Sequence, residues 1–571
     1  MATVSCDKFL DKATGDEGNV SSYFPATQED VMQLLNSIYA VLNASVSEYP
    51  TSNYIMYANI VSDDQFGGGG VSDLDIQAMD RMMYNDRDYF AGYWANCYEG
   101  IGRANMVITA LGDPESLDEE LSQCLGEAYM LRAYFYFTLA QMFENVPWVE
   151  QPFQGLDGLC YPQLFPEVGE LYMHILQDLK MAYEKMFDSY NVQGRANQAA
   201  AAGLLARVYM FYQGFYNGVG ELASDRDLVE LELPDGYHLS KQEVVYMLQR
   251  AIGNGGHELI QDFRMIWPYS NEETAKDYPY VQDMQDMNMY FVTDNREAVF
   301  EICCAPVSGQ ANRMYRYFGL RRAGGADIFP FNEGFGFAPV NPGLMKEWPD
   351  SDPRKRSSVC VLEDELSPTH DDWMEFNSDG MEFTGYVQKK YQTYSSKEGE
   401  NLKFREALSS RKYYGDGKTD LGLGNSPVNV PVLRYADILL MYAELTGSAE
   451  TMDPVQARTG IPKVSYNLDN VQKARRYEFA FEGVRWGDMR RWGGDPRQPG
   501  WGDYCKQALE KQNGQHVCNC GQEATINSSY AERYTKTGGF LDYPETEIIR
   551  SNGVLQHKDG WRGSDDAYFV R

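Results

Sequence analysis

Glu478 and Glu482 stand four residues apart, with Arg485 three residues further on. A continuous helix would set all three on one stripe. Two carboxylates one turn apart invite an acid/base reading. Cleavage of a glycosidic bond, however, needs them about 5–10 Å apart across an open cleft. Here the neighbours are Phe479, Phe481 and Trp486, with Arg475 and Arg476 upstream. Such flanks favour a partly buried ion-pair network over a catalytic pair. Other templates for catalysis are missing from the chain: there is no G-x-S-x-G, no H-E-x-x-H and no P-loop. Ser62-Asp63-Asp64 and Asp350-Ser351-Asp352 are acidic clusters, but neither completes an EF-hand loop. No catalytic residue and no cofactor are therefore expected, and a structural Ca2+ at one of these clusters is kept as an open alternative.

Rings carry the second chemistry. The chain holds 41 Tyr and 9 Trp, and Tyr combines a flat apolar face with a polar tip. A sugar presents C–H groups on its faces and hydroxyls around its edge. One or two flat rings with Asp, Asn or Arg beside them can grip it without a deep pocket. The candidates are Tyr93 and Trp94 on a predicted helix, Asp73 behind the Gly67–Gly70 loop, and the pair Trp267 and Tyr269. Arg313, Tyr315 and Tyr317 follow a predicted strand, and Phe335 lies in a glycine-flanked loop. Most rings fill cores, so each candidate competes with packing, and at least two of the group are expected to touch ligand.

The net charge of −33, with no block of Lys and Arg, excludes nucleic acid as a partner. No run of about 18 apolar residues is present, so no spanning helix is expected. The ten Cys are irregularly spaced and give no zinc-finger pattern, so most read as buried thiols. The start, Ser5-Cys6 followed by the polar stretch from Asp7, resembles the acylated beginning of a mature bacterial lipoprotein. Lipid on Cys6 would anchor the chain without a spanning helix.

The elements that must position these residues are mainly helical. Apolar spacing predicts helices over 27–42, 88–111, 116–144, 167–187, 197–213 and 240–252. Ser116 with Glu119 reads as a capping box for the third. Ala199–Ala202 and Ala206 allow close helix approach, as in tetratricopeptide-like pairs. From about 255 to 425 the chain is rich in Gly, Asp, Asn and Pro, with a short strand over 297–302. Helices return over 432–445 and 470–492, where Arg434 and Asp437 read as an i,i+3 pair, and the tail from Gly538 reads as loop.

Five blocks in order resemble the SusD/RagB family of outer-membrane nutrient-binding lipoproteins. They are YEGIGRAN from Tyr98; LGEAYMLRAYFYF from Leu125 with NVPW from Asn145; RYADILLMYAE from Arg434; RRYEFAFEGVRW from Arg475 with DMRRWG from Asp488; and GFLDYP from Gly539. The chain departs from the family in the short loop after Glu444 and in Leu541-Asp542-Tyr543-Pro544, and residues 499–534 match nothing in it. The resemblance implies a mainly α fold: a tetratricopeptide-like helical-pair scaffold with a loop-rich ligand face and few short strands. It implies a tether over 1–25 and one domain over 26–571, with the helical frame at 26–254 and 427–495 and the ligand face at about 255–426. It further implies a surface lipoprotein of the outer membrane that captures glycan for a SusC-like TonB-dependent transporter, with a sugar-stacking Trp near Trp94. A peptide or other nutrient receptor of the same family, and a surface glycosidase, are the alternatives.

Overall fold

The computed structural model describes residues 27–47, 53–83, 90–112, 116–152, 161–188, 192, 194–261, 263, 266–267, 295–305, 310–321, 333–365, 379–391, 396–398, 401–403 and 429–561. Helices Gln28–Ser47, Ala91–Leu111, Glu119–Phe143, Val168–Lys185, Gln198–Phe215 and Lys241–Asn254 form the first half of the frame. From Ala91 onward each packs on the next, and Gln28–Ser47 packs on Ala91–Leu111. The chain returns to this stack through Tyr435–Thr446, which lies on Lys241–Asn254, and Arg485–Gly493, which lies on Gln198–Phe215. The fold is thus mainly α and built from helical pairs.

The local chemistry explains the boundaries. Asn197 accepts from the Ala200 N–H at 3.0 Å, and Ser240 with Glu243 forms a complete capping box. Asp118, not Ser116, caps the third helix, accepting from the Leu121 N–H at 2.9 Å. A carboxylate placed directly before the helix satisfies the orphan donor that the more distant serine does not reach. From Gln123 to Phe143 nearly every side chain of that helix is buried, as befits a helix covered on all sides. Close approach is set by size. A Cβ on Gly100 would sit 2.3 Å from the Phe135 ring, so only glycine lets these two helices meet there.

Strands are short and, among the described residues, come in two-stranded sheets. Val430–Arg434 pairs antiparallel with Ala298–Ile302, with Arg434 opposite Ala298. That register brings the Arg434 side chain to Glu297.

Three expectations need correction here. The helix read over 470–492 is two helices, Leu468–Glu478 and Arg485–Gly493. Between them Phe481 (φ 69°) and Gly483 (φ 74°) adopt left-handed backbone, so Glu478, Glu482 and Arg485 share no helical stripe. Arg434 ends a strand, and its partners are carboxylates from elsewhere in the chain, while Asp437 goes to Arg475 at 2.6 Å and Arg207 at 2.5 Å. The tail is also more than loop: Glu545–Arg550 is helical, and Phe540, Leu541, Tyr543 and Trp561 join the core. Residues 499–534, which matched nothing, hold helices Asp503–Glu510 and Tyr530–Thr537 around the hairpin His516–Asn519/Gln522–Thr525.

Candidate functional site

Glu478 and Glu482 belong to a buried salt network. Arg434 donates from Nε to Glu482 at 2.8 Å and from Nη1 to Glu297 at 2.6 Å and Glu478 at 2.8 Å. Its Nη2 reaches the Glu478 carbonyl at 2.9 Å and Glu482 at 2.8 Å. Arg458 bridges Glu297 and Glu478, each at 2.5 Å, Arg354 reaches Glu478 at 3.3 Å, and Lys390 meets Glu482 at 2.6 Å. Burial acts to raise the Glu478 carboxyl, but the guanidinium groups of Arg458, Arg434 and Arg354 overcome it and hold the group below its ordinary range. A general acid needs the opposite shift. A neighbouring cavity of about 40 Å³ is lined by Tyr54, Gln141, Arg207, Arg475, Glu482 and Asp488. It has room for a few water molecules and none for a sugar ring.

The acidic clusters are likewise committed. Asp63 accepts from Arg485 at 2.7 Å and Arg476 at 2.9 Å, and Asp64 accepts from Arg476 at 2.9 Å. Asp352 faces Arg354 at 2.8 Å and Trp348 Nε1 at 3.1 Å, and Lys355 reaches Asp350 at 2.5 Å. Apart from Asp64 Oδ2, which has no hydrogen-bond partner among the described residues, the oxygens named turn to N–H donors and not to one another, which is not how carboxylates gather around Ca2+. Among the described residues no group of three or more His, Cys, Asp or Glu is placed to hold a metal. The eight described cysteines are free thiols, with Cys303 and Cys520 exposed.

The ring candidates divide sharply. Tyr93 and Trp94 are core residues, 2% and 3% exposed, and this overturns their reading as surface rings. Tyr93 donates to Thr138 Oγ1 at 2.8 Å, while Trp94 meets Phe143 edge-on at 5.1 Å and Tyr543 at 6.0 Å. The C-terminal tail supplies Tyr543, which helps to close Trp94 off from solvent. Trp267 is also buried, edge-on to Tyr391 at 5.4 Å with the Lys390 ammonium 5.5 Å from its ring. Tyr269 and Cys6 lie outside the described residues. Tyr315 is on the helix Met314–Phe318, and Arg313 caps that helix, half-buried, its N–H donating to the Val46 carbonyl at 3.1 Å.

Asp73, Tyr317 and Phe335, by contrast, converge. Backbone hydrogen bonds lace together three segments far apart in sequence. Phe335 N–H donates to the Arg316 carbonyl at 2.8 Å, Phe337 to Tyr317 at 2.9 Å, and Gly69 to Gly336 at 2.9 Å. A fourth segment joins through Met381 N–H to the Gly69 carbonyl at 2.8 Å. On this platform the Phe335 ring stacks on the buried Tyr317 ring, with centroids 6.2 Å apart and 16° between planes. Phe337 lies 5.5 Å away, and the Arg316 guanidinium sits 5.0 Å from the Phe335 centroid. Beside the rings, Arg321 reaches Asp73 at 3.2 Å and Asp379 at 3.3 Å, and Asp73 also accepts the Gly70 N–H at 2.7 Å. A Cβ at Gly70 would lie 2.1 Å from the Arg321 guanidinium, so a side chain there would have to push Arg321 aside.

The result is a partly exposed aromatic shelf with an Asp–Arg–Asp edge. Of these rings only Phe335 is half-buried, with the buried Tyr317 and Phe337 behind it; its open part can take an apolar face of a ligand, and the edge offers charged donors and acceptors to its hydroxyls. Sequence reasoning missed Arg316, Arg321, Phe337 and Asp379. No periodicity marks them; only the pairing of segments 66–73, 313–321, 333–340 and 379–383 brings them together.

Comparison with known proteins follows the same outline. A family model described as "Starch-binding associating with outer membrane" matches residues 8–210, and the SusD family model matches residues 340–561. A SusD-like protein of Bacteroides ovatus is 23% identical over 514 residues, covering 85% of this chain and 79% of that one. Surface glycan-binding protein A from Bacteroides fluxus has a TM-score of 0.66 at 22% identity, covering 94% of this chain and 100% of its own. Its Bacteroides thetaiotaomicron counterpart, solved in complex with laminarihexaose, has a TM-score of 0.65 at 17% identity over 93% of this chain and 100% of its own. At such identities the two structures are similar in fold.

Proposed function

Because the chain belongs to the SusD family, we propose that it is a cell-surface glycan-binding protein that holds an oligosaccharide or polysaccharide unaltered for import through a SusC-like TonB-dependent transporter. One observation carries the reading: the half-buried Phe335 ring, backed by Tyr317, and the Asp73–Arg321–Asp379 edge lie side by side, partly open to solvent, with Asp73 and Phe335 on loops beside the helical frame. Binding residues on loops over such a frame are the usual arrangement. The fold shared with glycan-binding proteins, one of them solved with laminarihexaose, supports the choice of ligand. No turnover is assigned, since Glu478 and Glu482 are engaged by Arg434, Arg458, Arg354 and Lys390. A lipid on Cys6 would keep the chain at the outer membrane, and fatty-acid labelling in cells, lost in Cys6→Ala, is the corresponding check.

Affinity electrophoresis and titration calorimetry against a polysaccharide panel test the binding itself. At least one glycan is expected to bind, and Phe335→Ala combined with Arg321→Ala should weaken it at least tenfold, the scale of one charge-assisted hydrogen bond. Binding to peptides and to no glycan, or an unaltered affinity in the double variant, would refute the assignment to this face. Release of reducing ends by the purified protein, abolished in Glu478→Gln, would instead favour a hydrolase.

A further inference from the structure

We infer that the ligand taken at the Phe335 shelf is an anionic glycan, one bearing carboxylate or sulfate groups; this rests on the glycan-binding reading above. What the shelf presents outward decides the class. Phe335 is only half-buried, yet its ring is hemmed by Tyr317 at 6.2 Å, Phe337 at 5.5 Å and the Arg316 guanidinium at 5.0 Å. Arg316 is exposed at this spot. A ligand approaching here meets the open part of the Phe335 ring together with the cation lying against it.

The charge pattern supports the same class. On a chain of net charge −33, many arginines of the frame are committed to carboxylates, such as Arg132 to Asp178 and Arg491 to Glu444, while the buried Arg490 is held by carbonyls. Arg316 has no carboxylate within ion-pair distance among the described residues, and neither has Arg313, which caps the same short helix three residues earlier. The nearby carboxylates Asp73 and Asp379 are both turned to Arg321, so the edge is already largely compensated. A guanidinium keeps its charge at any working pH and matches a carboxylate or sulfate through two parallel N–H donors. The remaining negative charge of the chain acts weakly here, because exposed charges more than about 8 Å away are screened at physiological salt.

The experiment compares oligogalacturonates and chondroitin-sulfate oligosaccharides with neutral β-glucan oligosaccharides of equal length, by titration calorimetry on the intact protein. An anionic series is expected to bind at least tenfold more tightly than the neutral one. Arg316→Gln should remove that preference, and Arg316→Lys should restore part of it, while thermal stability stays unchanged because Arg316 is exposed. Equal or tighter binding of the neutral series, or a preference that survives Arg316→Gln, overturns the inference and leaves glycan binding standing. Binding to none of the three series while another neutral glycan of the panel binds overturns it too. Failure of every glycan removes the functional reading and the inference together.

Discussion

Replacing Arg434 by Met offers the sharpest test of the charged network that the family blocks build. The Arg434 side chain is 1% exposed, and all five of its N–H donors are used, by Glu482 twice, Glu297, Glu478 and the Glu478 carbonyl. Around it, Arg354, Lys390, Arg434 and Arg458 balance Glu297, Glu478, Glu482 and Asp352. Methionine fills a comparable volume but leaves one uncompensated negative charge in a buried cluster. Glu297 and Glu478 keep Arg458, and Glu482 keeps Lys390, so the cost falls at the lower end of the range for breaking a buried pair, about 3 kcal/mol. That is a large share of the roughly 5–15 kcal/mol by which folded domains exceed their unfolded states. Thermal melts should show Tm falling by about 2–3 degrees. Adding Glu482→Gln restores neutrality, and the pair should recover about 1–3 kcal/mol relative to the sum of the single changes. A single-variant cost below about 1 kcal/mol, or strict additivity in the double variant, would refute the view that mutual neutralisation holds this cluster. Glycan affinity of whatever fraction remains folded should match that of the unaltered protein, because the network lies outside the shelf.

Other consequences are equally concrete. Trp94→Ala should cost about 3–5 kcal/mol, read by chemical denaturation, and leave glycan affinity intact; a specific loss of affinity without loss of stability would reinstate Trp94 as a contact. Gly70→Ala should displace the Arg321 guanidinium, weakening binding severalfold while Tm moves little; unchanged affinity would remove Arg321 from the site. Burial acts to raise Asp437, but Arg475 and Arg207 bring it down from 3.8 to about 2. A depressed carboxyl contributes stability above its unfolded pKa, here about 2 kcal/mol, and loses it as pH falls from about 4 towards 2. Melts across that window should show a decline that is shallower in Asp437→Asn by the share of this one carboxyl, from a lower starting Tm, while Glu478 and Asp63, also depressed by arginines, keep the rest.

Much of the frame was legible because helix signals are local. The Ala-rich run at Ala199–Ala202, the box at Ser240 and Glu243, and the apolar face of Glu119–Phe143 each announce an element through neighbours within four residues. The family blocks extended this to the order of the whole chain, and the neighbourhood of Glu478 and Glu482, aromatic and rich in arginine, already spoke for an ion-pair network. What the sequence could not carry was exposure. Trp94 and Phe335 are both rings near glycines, Gly92 in one case and Gly334 and Gly336 in the other. Tyr543, more than four hundred residues downstream, covers the first, and nothing local to Trp94 reports it. Likewise Asp73, Arg321, Phe335 and Asp379 come from separate segments whose meeting depends on backbone hydrogen bonds between loops. Periodicity encodes which side of a helix is apolar, so the sequence determined the scaffold. Which rings and charges stay at the surface depends on what long-range packing lays over them, and that was decided only in three dimensions.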